Sequence, residues 1–122
     1  MFKLFTILGS INAFLAIGIG AFGAHGLKGK LTQHYLDIYN TGVQYHMMHA
    51  LGLILVGILA EKVSSSLIGW AGWIMFIGII LFSGSLYVLS ISGVDKLGAI
   101  TPIGGVAFLA SWVLVIIAVA KA

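Results

Sequence analysis

Four histidines occur in this sequence, and two of them, His46 and His49, form a His-x-x-His pair. On a helix, residues three apart sit about 60° from each other around the axis, so both imidazoles share a face. His25, Met47 and Met48 are further soft or borderline donors. A metal or haem site built on His25, His46 and His49 is one chemistry these residues could support. The other is hydrogen bonding: Gln44, Tyr45, Ser83, Ser85, Tyr87 and Thr101 supply an amide and hydroxyls that could meet the imidazoles. Catalysis has little to draw on. Cysteine is absent, no Ser/His/Asp set has credible spacing, and the acids Asp37, Glu61 and Asp95 all fall outside the apolar stretches. The same placement argues against a proton-coupled transporter of the small multidrug type, which needs an acid within the membrane. The reading favoured is a non-enzymatic one.

The elements that must position these groups follow from composition. Hydrophobic residues make up 61% of 122 residues and charged ones 7%, against about 25% charged in a soluble domain. So few charges cannot coat a soluble protein. They leave four uncharged runs, 4–27, 38–60, 63–94 and 97–120. Each is long enough for the ~20 residues that cross hydrocarbon as a helix, and none is long enough for two crossings. The fold class expected is an all-α membrane protein, a bundle of four transmembrane helices at about 4–24, 42–60, 67–90 and 98–120 in a single domain. A soluble enzyme, a nucleic-acid-binding domain and a β-barrel are excluded, the last because its strands would alternate in polarity. The first apolar stretch is longer than the 7–15 residues of a signal-peptide core, so it is expected to stay as a helix.

Smaller features refine this picture. Leu31, Tyr35, Ile38 and Tyr39 recur at helical spacing among polar residues, which predicts a short interfacial amphipathic helix between helices one and two. Trp70 and Trp73 read as interface anchors at the start of helix three. Thr101-Pro102 reads as an N-cap followed by proline at the first helical position. Small residues four apart, Gly9/Ala13 and Ala16/Gly20/Ala24, offer close-packing surfaces; one neighbouring helix covers only one of them, so a homo-oligomer is expected. Asn12 reads as hydrogen-bonding glue.

Alternating crossings then decide which residues can meet. The first and third loops must lie on one side of the membrane. That side gathers His25, Gln44, Tyr45, His46, His49, Ser83, Ser85, Tyr87 and Thr101, whereas the opposite side holds Lys3, Glu61, Lys62 and Lys121 and no histidine. A cluster of His46, His49, Tyr87 and Ser83 is expected, either as structural glue or as a site that engages a lipid or a membrane partner. Free N–H groups at the start of helix four would suit a lipid headgroup.

Four ordered motifs run through the chain: Gly20-Ala21-Phe22-Gly23-Ala24-His25-Gly26-Leu27, Gln44-Tyr45-His46-x-x-His49-Ala50-Leu51, Phe82-Ser83-Gly84-Ser85-Leu86-Tyr87 and Ile100-Thr101-Pro102-Ile103-Gly104-Gly105. With them the whole chain resembles the small four-helix membrane proteins grouped as domain of unknown function 423, a family with a eukaryotic branch. The resemblance implies a multi-pass plasma (inner) membrane protein in bacteria and assigns no activity and no cofactor. Its motifs fall on the same pole that alternation alone reaches.

Lysine bias does not choose an orientation, because Lys3, Lys62 and Lys121 balance Lys28, Lys30 and Lys96. A single orientation is nevertheless expected. In this cysteine-free chain, Lys28→Cys and Lys96→Cys should be labelled by a membrane-impermeant thiol reagent from one side and Lys62→Cys from the other. Labelling of positions 28 and 96 from opposite sides would defeat the four-span arrangement.

Overall fold

A stripe of residues spaced alternately four and three apart, Tyr35, Tyr39, Gly42, His46, His49, Leu53 and Val56, runs unbroken through the second apolar segment. That is the period of one continuous helix face. In the computed structural model, which describes residues 1–122, the segment is accordingly a single helix, α2, over Gln33–Leu59. The separate interfacial helix expected before Gly42 is therefore replaced by the first turns of α2. No proline interrupts the segment, and Gly42 continues the helix because its missing side chain makes room for the Tyr87 ring, which a Cβ would meet at 2.9 Å. With 27 residues, α2 is about 40 Å long and extends beyond a ~30 Å hydrocarbon core. Thr32 caps it, its hydroxyl accepting from the Tyr35 N–H at 3.3 Å.

The other spans follow their apolar runs. α1 covers Phe2–His25. The third span comprises α3 (Ser66–Gly78), a π-helical segment (Ile79–Gly84) and α4 (Ser85–Ser92). Ser65 caps its start, and Gly93, left-handed at φ 73°, closes its end. The fourth span enters through a 3₁₀ turn, Asp95–Ala99, and continues as α5, Thr101–Ala120. Thr101 is already helical, so it is not the N-cap expected; Ile100 holds that position, and Pro102 sits in the first turn where no N–H is needed.

α1 lies along α2 and α5 along α3, with α2 and the third span facing each other in the middle. The middle pair bury 44% of their apolar windows and the flanking α1 and α5 only 22%. The flanks therefore turn most of their surface outward, as Phe14, Ile17, Val106 and Leu109 do. Phe5, Leu53, Val56, Ile68, Met75 and Phe108 belong to the apolar core.

Close approach is bought by glycine. On α1 the seam against α2 runs through Gly9, Ala16 and Gly23, seven residues apart and buried. A Cβ at Gly9 would stand 2.7 Å from the Ala50 carbonyl oxygen, and one at Gly23 would run into the Tyr39 ring. Of the four-residue sets expected, Gly9 and Ala16 lie in this seam while Ala24 is exposed. Between the third span and α5, a Cβ on Gly104 would collide with the Phe82 backbone nitrogen. Its neighbour Gly105 has only ordinary contact, with Phe82 at 3.8 Å.

Because the obstacle at Gly104 is backbone, it cannot rotate away. Gly104→Ala is expected to destabilise the purified bundle by about 2–3 kcal/mol, the scale of overpacking. Gly105→Ala should change it by less than ~1 kcal/mol. Equal denaturant midpoints for the two variants would contradict this packing.

Candidate functional site

The two loops expected on one side are tied together there. The Tyr35 hydroxyl, at the start of α2, donates to Asp95 Oδ1 at 3.0 Å, just ahead of α5. Beneath this clasp the polar side chains divide into three sets.

The first joins three helices. His46 on α2 is buried, with Nε2 3.0 Å from Asn12 Oδ1 on α1 and Nδ1 2.9 Å from the Tyr87 hydroxyl on α4. Asn12 Nδ2 donates to the Leu8 carbonyl at 2.8 Å, which turns its oxygen toward the imidazole. A carbonyl oxygen only accepts, so His46 carries its proton on Nε2, and Nδ1 accepts from Tyr87. Asn12, expected to be glue, supplies one end of this chain. Ser83 donates to the Gly42 carbonyl at 2.8 Å and ties the π-helical segment to α2 nearby. Tyr39, too, donates to the Ile19 carbonyl of α1.

The second set faces α5. His49 Nδ1 lies 2.9 Å from the Tyr45 carbonyl, and Nε2 lies 3.0 Å from the Trp112 indole nitrogen. A carbonyl can only accept and an indole N–H can only donate, so His49 is protonated on Nδ1, the opposite tautomer from His46. Its ring stacks on Phe108 with centroids 3.5 Å apart and planes within 6°. Tyr45 packs on Phe82 at 4.8 Å. Between α2 and α5 these rings leave a groove of about 450 Å³, bounded by Tyr45, Met48, His49, Phe82, Pro102 and Trp112. A second hollow, about 550 Å³, lies at the opposite pole among Ser64, Ser65, Trp70 and Trp73. It collects interface residues and no histidine, so the groove is the stronger candidate site.

The third set is a single contact, Ser85 Oγ to Thr101 Oγ1 at 2.6 Å, which pins α5 to α4.

The expected cluster of His46, His49, Tyr87 and Ser83 is thus divided. His46, Tyr87 and Ser83 link α2 to the third span, while His49 turns to α5. Gln44 and His25 are exposed and join neither set. The metal set of His25, His46 and His49 is not assembled: no three His, Asp or Glu side chains converge in a way that could hold an ion. Both ring nitrogens of His46 and of His49 are also already engaged. The residue that sequence reasoning missed is Trp112. Its signal was an indole at mid-span, away from the interfaces that tryptophan prefers, whose N–H needs a partner.

Four apolar helices held by internal hydrogen bonds define a multi-pass membrane protein. The chain belongs to the family described as "Protein of unknown function (DUF423)", whose model matches residues 19–105. It is similar to UPF0382 membrane protein YwdK of Bacillus subtilis (strain 168), 59% identical over 120 residues and 98% of each chain. It is also similar to UPF0382 membrane protein SAB0533 of Staphylococcus aureus, 50% identical over 119 residues, 98% of this chain and 97% of that one. UPF0382 membrane protein SH2409 of Staphylococcus haemolyticus is 48% identical over the same shares. No solved structure matches the chain.

If His46 bridges α1 and α4, its bonds should be energetically coupled. A double-mutant cycle of Asn12→Ala and His46→Ala should give a coupling of about 0.6–1.7 kcal/mol, and His46→Ala alone should cost about 1–2 kcal/mol. Unfolding in mixed micelles measures both. Strict additivity would mean that the pair does not interact.

Proposed function

We propose that the protein is a non-enzymatic lipid-binding module of the plasma (inner) membrane, and that the groove between α2 and α5 is where it takes its ligand. The observation that carries this reading is the groove itself. Its volume of about 450 Å³ falls within the 300–1,000 Å³ of small-molecule sites. It lies beside Val106 and Leu109, which are exposed on the outer face of α5, so a molecule reaches it sideways from the bilayer. Its lining is mostly apolar, with the His49 and Tyr45 rings set among hydrocarbon side chains. His46, Tyr87, Ser83, Ser85 and Thr101 support the same reading, because they hold helices rather than face a substrate. The chain from Tyr87 through His46 and Asn12 ends on the Leu8 carbonyl, and an amide at that end passes no proton onward. Self-association through the outward faces of α1 and α5 belongs to the same proposal.

Gly105 lines the groove and has room for a side chain. Gly105→Leu should fill the site from inside while leaving the thermal midpoint within a few degrees of wild type. Native mass spectrometry of gently solubilised protein should show bound lipid on the wild type and several-fold less on this variant, with both at the mass of a dimer or larger. Equal lipid on the two proteins would count against the groove, and monomer alone would count against self-association.

A further inference from the structure

Gln44 is an exposed amide at a depth where the bilayer offers little water. Counted back from Leu59, the last residue of α2, a ~30 Å hydrocarbon core takes about 20 residues and ends near Asn40. Gln44 thus stands about one helical turn, ~6 Å, inside the apolar zone. Side-chain hydrogen bonds on α2 are made by Gln33, Tyr35, Asp37, Tyr39, Thr41, His46 and His49, and Gln44 is not among them. A carboxamide brings two donors and an acceptor, and leaving them unbonded in hydrocarbon is costly. The amide calls for a partner from outside the chain.

Its position says which kind. Gln44 is four residues before Met48, on the same face of α2, and Met48 forms an edge of the groove. Below that level the groove continues along α5 through Phe108 and Leu109 to Trp112, at the depth where His49 stacks on Phe108 and meets the Trp112 indole. Above it, Lys96 is exposed on the 3₁₀ turn that leads into α5, and the loop between α1 and α2 adds the exposed Lys28 and Lys30. The two acids of this pole accept from neutral donors, Asp95 from Tyr35 and Asp37 from Gln33. Along the bilayer normal the order is therefore cation, amide, apolar groove. A phospholipid presents phosphate, ester carbonyl and acyl chain in the same order, and three lysines against two acids favour an anionic headgroup.

We propose that the groove between α2 and α5 holds an anionic glycerophospholipid, with an acyl chain running past Phe108 toward Trp112, an ester carbonyl on the Gln44 amide and the phosphate at Lys96. This rests on the lipid-binding reading above and narrows it to one lipid class.

Trp112 reports on the site directly. Trp70→Phe and Trp73→Phe leave it as the single indole among the three tryptophans. The full chain is reconstituted in vesicles of equal phosphatidylglycerol and phosphatidylcholine, with bromine on the acyl chains of one lipid or the other. Brominated phosphatidylglycerol should quench Trp112 with a relative affinity about fivefold above that of phosphatidylcholine, as expected for one lysine acting on one charge. Lys96→Gln should bring the ratio close to one. Gln44→Leu should weaken quenching by both lipids, and Gln44→Asn should restore part of it. A ratio of one in the unsubstituted protein, with Gly105→Leu still lowering quenching by both lipids, would overturn the headgroup assignment and leave the groove reading intact. If Gly105→Leu altered neither, the groove reading would fall as well. Unchanged quenching in Gln44→Leu, together with a disulfide between Gln44→Cys residues of two copies, would overturn the lipid anchor in favour of a second copy of the chain.

Discussion

An imidazole that stands in hydrocarbon and is bonded at both nitrogens restricts everything around it. His46 needs Asn12 on one side and Tyr87 on the other, so α1 and α4 are fixed against α2 at the same height. In lipid there is no hydrophobic gradient to press helices together, and association depends on packing and on hydrogen bonds of this kind. Each bond contributes only about 0.6–1.7 kcal/mol. What gives them authority over the fold is direction: they can be made only when three helices agree in height and rotation.

That agreement requires backbones close enough for short side chains to meet, which explains where the glycines fall. Gly9 lets α1 approach the Ala50 carbonyl, and Gly42 lets the Tyr87 ring lie against α2. Tyr87 reaches Nδ1 of His46 from that position. Gly23 yields its space to Tyr39, whose hydroxyl reaches back to α1. Small residues and polar residues thus work as pairs, one clearing the space that the other uses. On the far side of α2, Gly104 does the same for α5, bringing Thr101 to Ser85 and Trp112 to His49.

Much of this was legible in the sequence. Run length against hydrocarbon thickness is a one-dimensional comparison, and it sufficed for four spans; alternation of crossings then placed the histidines, serines and tyrosines at one pole. Partners were harder, since a helical wheel gives the angle between His46 and His49 but not which neighbour occupies each sector. The 60° between them proved enough to send one toward α1 and α4 and the other toward α5. The separate interfacial helix was expected because polar residues ahead of Gly42 look like an ending, whereas the four-three stripe crosses that point in phase. The π-helical segment had no signature at all: Ile79–Gly84 contains no proline, and its register is set by what Ser83 and Phe82 meet on two other helices.

The two histidines also differ in what they tolerate, and this bears on the kind of recognition the pole can perform. If His46 gained a proton, the Tyr87 hydroxyl could rotate and accept instead of donate, so the bond would survive. His49 has no such freedom. Its Nδ1 proton is committed to the Tyr45 carbonyl and its Nε2 lone pair to the Trp112 N–H. A second proton would set N–H against N–H, with Phe108 stacked over the ring at 3.5 Å and every acid of the chain outside the apolar runs. The groove wall therefore depends on a neutral imidazole. With its histidine held neutral, the groove has shape and hydrogen-bond direction to offer inside the membrane, while the charged side chains of this pole, Lys28, Lys30, Asp37, Asp95 and Lys96, stand at the loops. On the lipid-binding reading we propose, a site divided in this way would distinguish its ligands by headgroup at the surface and by fit below it, which is how one bilayer lipid differs from another.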